Sequence, residues 1–97
     1  MPESEEAGRK AVLALVRGRV QGVGFRYEAR SVAKSLGVSG WITNLPDGGV
    51  ETYAEGPEAA VNRFVTWLHS GPAGASVESV DLSERRPKGT CASFTVE

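Results

Sequence analysis

At 97 residues, with 40% apolar and 24% charged side chains, the chain has a globular balance and the length for one modest core rather than two. A formal net charge of −1 provides no general attraction to nucleic acid or to an anionic membrane. The single cysteine, Cys91, and single histidine, His69, exclude an internal disulfide and a four-ligand site built from Cys and His, and no apolar run approaches the roughly 20 residues of a membrane-spanning helix.

Residues 1–8 are acidic and offer nothing apolar to bury, so they read as a flexible tail preceding a single domain at 9–97. They lack the basic-then-apolar layout of a secretory leader, and a cytoplasmic location is expected. "KAVLALV", Lys10 to Val16, is a short apolar run without alternation, which suits a central strand. Phe25, Ala29, Val32, Ala33 and Leu36 recur at helical spacing and predict an amphipathic helix that Gly37 closes. "VSGWITN" and "VETYAE" flank the turn-forming "LPDGG" and predict a hairpin. A second helix follows, with Pro57 in its first turn, Val61, Phe64, Val65 and Leu68 on its buried stripe, and Gly71-Pro72 as its stop. "SVESVDLSE" and "ASFTVE" are strand material separated by "RRPKGT", whose Arg85, Arg86 and Lys88 read as a solvated turn.

The order strand, helix, strand, strand, helix, strand, with a short extra strand at the end, predicts an α+β ferredoxin-like sandwich. Its antiparallel sheet of four to five strands carries both helices on one face. Many functions share that fold, so function must come from a site.

The site with the most chemical character is "GRVQGVGFR", Gly18 to Arg26. Gly18, Gly22 and Gly24 stand between a strand end and a helix start, where they permit positive φ angles and convergent backbone N–H groups. The helix beginning at Phe25 adds unpaired N–H groups and the positive end of its dipole. Arg26 is a cation in that first turn, against the dipole by about 0.3–1 kcal/mol, and a bound anion reverses the sign. Arg9, Lys10, Arg17, Arg19, Arg26 and Arg30 are opposed over this stretch only by Glu28. Two nucleotide motifs fail: no Gly-Lys-Ser/Thr follows the glycines, and Tyr27 stands where a dinucleotide fingerprint needs glycine.

For a phosphoryl anion, the segment holds no Ser, Thr or Cys nucleophile and no carboxylate for Mg²⁺. Chemistry there requires a leaving group that needs no acid. An acyl phosphate qualifies, since its carboxylate leaving group has a conjugate-acid pKa of roughly 4. A neutral side chain must then orient water. Asn44 is the candidate, with one acceptor and two donors, although taken alone it reads first as turn chemistry before Pro46-Asp47-Gly48. Arg19 reads equally as substrate attraction or as a solvated side chain. His69 near a helix C-terminus, Cys91, Tyr53, Trp41 and Trp67 have ordinary structural readings.

"GRVQGVGFR" followed by "GWITNLPDGGVE" resembles the acylphosphatase family, and the similarity runs from about Ala11 to Val96. The resemblance implies a ferredoxin-like fold and metal-independent hydrolysis of a carboxyl-phosphate bond. It assigns phosphate binding to Arg26, water orientation to Asn44, and a backbone cradle to Val20, Gln21, Gly22, Val23, Gly24 and Phe25. It implies no cofactor and no metal. The partners are a small acyl phosphate and inorganic phosphate as product and inhibitor, with no nucleic acid, no membrane and a monomeric state. The chain lacks the aromatic terminus of some members. The alternative is a non-catalytic anion- or RNA-binding ferredoxin-like module; the RNA reading would need stacking aromatics on an exposed sheet face.

Overall fold

The computed structural model describes residues 8–89 and 91–97. In chain order the elements are β1 (Arg9–Arg19), α1 (Phe25–Leu36), β2 (Ser39–Asn44), β3 (Val50–Pro57), α2 (Glu58–Ser70), β4 (Ser76–Arg85) and β5 (Phe94–Val96). Strands stand in the order β4-β1-β3-β2-β5. Residues 1–7, most of the expected tail, lie outside the described residues; the carbonyl of Gly8 accepts the Glu58 N–H at 3.0 Å.

The apolar run at Lys10–Val16 forms the heart of β1 because that strand pairs on both edges, with β3 and β4. It continues beyond the run to Arg19 through an irregularity between Arg17 and Gly18. Gly18 has φ 128°, and a Cβ there would collide with the Ser76 carbonyl, so the bulge requires glycine. Side chains alternate across the sheet. Val12, Ala14, Val16, Ile42, Val50 and Ala54 face one way and form a core with Phe25, Ala29 and Ala33 of α1 and Val61, Phe64 and Leu68 of α2. Both helices therefore cover one face, as expected. Pro57 closes β3 opposite Arg9 with an extended ψ of 141° and stands just before α2, not inside its first turn.

Two features depart from the expectations. The short last strand pairs with β2 in parallel, Gly40 opposite Phe94, so the sheet is mixed rather than wholly antiparallel. To join β4 at one edge to β5 at the other, the chain must cross the sheet. The segment after Arg85 does so over the helix-free face, where Glu55, fully buried, receives it. The Glu55 carboxylate accepts the Lys88 N–H at 3.0 Å, the Gly89 N–H at 3.0 Å and the Tyr53 hydroxyl at 2.6 Å. Arg9 lies 3.5 Å away, and the Lys88 ammonium sits 5.2 Å from the centre of the Tyr53 ring. "RRPKGT" is thus not simply a solvated turn. Its side chains are exposed at Arg85, Arg86 and Lys88, while its backbone docks on a buried charge.

Candidate active site

Between β1 and α1 the chain turns through Val20–Gly24, with Gly22 and Gly24 left-handed at φ 76° and 77°. Gly24 is the N-cap of α1 and supplies no side-chain cap, so the first N–H groups of the helix have no side-chain acceptor. The opening residue, Phe25, is 2% exposed and meets the Trp67 ring at 5.3 Å, which roots the end of the loop in the core.

A cavity of about 110 Å³ lies at this helix end, lined by Val20, Gln21, Gly22, Gly24, Phe25, Arg26, Tyr27 and Asn44. Asn44, the last residue of β2, is thereby brought to the loop although β3 separates its strand from β1. Arg26 and Asn44 share one concavity, whose base is the glycine loop. Of the expected cradle residues only Val23 is absent from the lining; its half-buried side chain packs against the core instead. Arg19 is exposed and does not line the cavity.

Arg26 makes no ion pair with a carboxylate side chain among the described residues. Its Nη1 donates to the main-chain oxygen of Glu97 at 2.7 Å, and its guanidinium carbon stands 5.8 Å from the centre of the Tyr27 ring. This contact orients the guanidinium, whose remaining donors stand at the cavity. Tyr27 is 60% exposed, so the cavity has an aromatic rim.

Gln21 carries a connection that sequence reasoning missed. Its Nε2 donates to the carbonyls of Leu45 and Gly49, each at 2.8 Å, tying the loop to the β2–β3 turn. A lone long amide among glycines and valines was the available signal. The same turn is held at its tip by Arg17, whose Nη1 lies 2.7 Å from Asp47. The Gly49 N–H and then Arg17 hold the Asp47 carboxyl below its ordinary range.

His69, Trp67, Trp41 and Tyr53 keep their structural readings, whereas Cys91, expected in a strand, stands between β4 and β5. His69 is exposed in the last turn of α2, with Nδ1 3.0 Å from the Val65 carbonyl, and does not line the cavity. Trp67 packs on Phe25 and Phe64, and Trp41 stacks on Tyr53 at 6.4 Å. Tyr53 is 3% exposed, so its ring is not offered for stacking from the sheet face.

Fold and cavity together define an α+β protein with an arginine-bearing cavity beside a neutral amide. The family model described as acylphosphatase matches residues 12–96. An acylphosphatase from Rubrobacter xylanophilus is 48% identical over 96 residues, covering 97% of this chain and 87% of its own. Among solved structures, an acylphosphatase from Coxiella burnetii superposes with a TM-score of 0.89 at 34% identity, covering 95% of this chain and 96% of its own. One from Bacillus subtilis gives 0.87 at 36% identity, covering 91% and 98%. The chain belongs to the acylphosphatase family, hydrolases of the carboxyl-phosphate bond.

Proposed function

We propose that this acylphosphatase works by direct attack of water on a phosphoryl group held in the Val20–Arg26 cavity. The carrying observation is that Arg26, Asn44 and the glycine loop line the same concavity. The guanidinium of Arg26 and the backbone N–H groups from Val20 to Phe25 bind the phosphoryl oxygens. The Asn44 amide orients the water. A bond forms between water oxygen and phosphorus as the phosphorus–oxygen bond to the acyl group breaks. The electron pair leaves on the carboxylate, one water proton stays on the phosphate, and the other passes to solvent.

Such a leaving group, with a conjugate-acid pKa of roughly 4, needs no general acid. Catalysis then rests on positioning and on donors aimed where charge develops. Metal independence fits the donor set, since among the described residues no three His, Cys, Asp or Glu side chains converge to hold an ion. The same reading takes small acyl phosphates as substrates and inorganic phosphate as a competitive product inhibitor. It also takes the enzyme as a cytoplasmic monomer, for which the single half-buried thiol of Cys91 suits a reducing compartment. No helix among the described residues is long and apolar enough to cross a membrane.

The test is hydrolysis of benzoyl phosphate by wild type, Arg26→Ala and Asn44→Ala, with inhibition by inorganic phosphate measured alongside. Turnover by wild type, loss of both turnover and inhibition in Arg26→Ala, and loss of turnover alone in Asn44→Ala is the expected pattern. Full activity in either variant would overturn the mechanism.

A further inference from the structure

The cradle and Asn44 belong to different parts of the chain. The loop joins β1 to α1, whereas Asn44 ends β2, and β3 lies between the two strands. Water aimed by Asn44 reaches phosphorus in line only if these two parts keep a fixed relation. An error of about 1 Å in such a placement can cost 10²-fold in rate.

The Gln21 amide spans that gap. Its nitrogen has two protons, and the two 2.8 Å contacts to Leu45 and Gly49 oxygens use both. Only the nitrogen can face two carbonyl oxygens, so the orientation of the amide follows from the contacts themselves. The positions gripped are informative. Leu45 directly follows Asn44, and Gly49 directly precedes Val50, the β3 residue paired with Asn44. The Leu45 N–H donates to the Gly49 carbonyl at 2.8 Å, so these residues close the hairpin next to Asn44. Gln21 therefore holds both sides of the hairpin at the rung adjoining the water-orienting residue. By contrast, the Arg17–Asp47 pair holds the exposed tip of the turn.

Resting on the function proposed above, we propose that Gln21 is a positioning residue for the hydrolysis: its side-chain amide sets the placement of Asn44 relative to the phosphoryl cradle. It acts through the hairpin and need not touch the substrate. Its loss should weaken the contribution of Asn44 and leave phosphate capture by Arg26 and the loop N–H groups in place.

The test is a double-mutant cycle on benzoyl phosphate with wild type, Gln21→Met, Asn44→Ala and the double variant, each checked for folding by near-UV circular dichroism. Methionine keeps the length of the side chain and removes its donors. The expected result is a kcat loss of about tenfold in Gln21→Met, with inhibition by inorganic phosphate within about threefold of wild type. In the Asn44→Ala background the same substitution should produce no further loss. Additive losses would show that Gln21 acts independently of Asn44 and overturn the proposal. So would an unchanged kcat, or a loss of phosphate inhibition that parallels the loss of kcat.

Gln21→Glu provides a second readout should the methionine variant fail to fold. Its carboxylate opposes the two carbonyl oxygens when charged and regains one donor when protonated. Its kcat relative to wild type should rise as pH falls from about 7 toward 4.5, the ordinary carboxyl range; a ratio independent of pH overturns the proposal. If Asn44→Ala loses kcat while the Gln21 variants do not, only this inference fails. If wild type is inactive, or Asn44→Ala is fully active, the underlying mechanism fails and this inference falls with it.

Discussion

The guanidinium of Arg26 is anchored on Glu97: Nη1 donates over 2.7 Å to the main-chain oxygen, and the Glu97 N–H in turn donates over 2.8 Å to Ile42 of β2. A residue in the first turn of α1 is thus joined through the end of the chain to the strand that carries Asn44. With one nitrogen engaged, the other guanidinium donors remain for a phosphoryl group in a planar arrangement. Arg26→Ala should lower kcat/KM by roughly 10²–10³-fold or more and abolish inhibition by inorganic phosphate. Arg26→Lys should restore little, because an ammonium has a single nitrogen and cannot serve both Glu97 and the ligand in that geometry. A lysine variant with near wild-type kcat/KM would show that charge alone suffices.

In the proposed mechanism Asn44 contributes to the water rather than to the bound phosphate, so its effect belongs to the transition state. Asn44→Ala should lower kcat by roughly 10²–10³-fold, the magnitude of losing one preorganised group. Inorganic phosphate should inhibit the folded variant within about tenfold of wild type, a difference under ~1.4 kcal/mol. Full kcat in the folded variant would reduce Asn44 to turn chemistry.

Glu55 governs stability on the side of the sheet away from the helices. Burial works against its charge, but the Tyr53 hydroxyl, the Lys88 and Gly89 N–H groups and Arg9 outweigh it and hold the carboxyl below its ordinary 4.5. A depressed folded pKa contributes stability that is present above about 4.5 and is lost as pH falls through the folded value. Glu55→Gln places an amide among N–H donors and should cost about 1–3 kcal/mol in urea unfolding at pH 7. The difference from wild type should shrink as pH falls below about 4.5. Glu55 is at the end of β3 opposite to Val50, the partner of Asn44, so kcat of the folded variant should stay within about twofold of wild type.

The same cluster sets an alkaline limit. Burial, then the hydrogen bond to Glu55, pushes the Tyr53 phenol up to about 12. A raised folded pKa contributes stability that is complete below the ordinary 10.0 and declines as pH rises toward 12. Tyr53→Phe should flatten the decline in unfolding free energy across that window. An unchanged slope would show that other groups cause it.

Chemistry without acid, base or metal has its own signature. Activity on benzoyl phosphate should survive exhaustive chelation, and kcat should be nearly flat from about pH 5 to 8, where a participating histidine would titrate. Alkyl phosphate esters should be essentially inert, since an alkoxide leaving group needs an acid. Activity restored by one divalent ion, or comparable turnover of an ester, would require a different mechanism.

The helix Phe25–Leu36, the hairpin around Pro46-Asp47-Gly48 and the glycine loop were legible because each depends on neighbours in sequence: apolar spacing, turn-forming residues and permissive backbone. Arg26 was legible for a related reason, as a cation conspicuously misplaced in a first helical turn. Asn44 was ambiguous on local grounds, and only the sheet order brings it into the cavity with Arg26. The parallel pairing of β5, the crossing segment held by Glu55 and the Gln21 tie were not legible, although a short last strand was. In each, a polar group finds its partner far along the chain: Glu55 binds Lys88 and Gly89, and Gln21 binds Leu45 and Gly49. Local patterns record how a segment satisfies its own backbone, whereas the partner of a buried charge or amide is chosen by which strands the folded sheet places side by side.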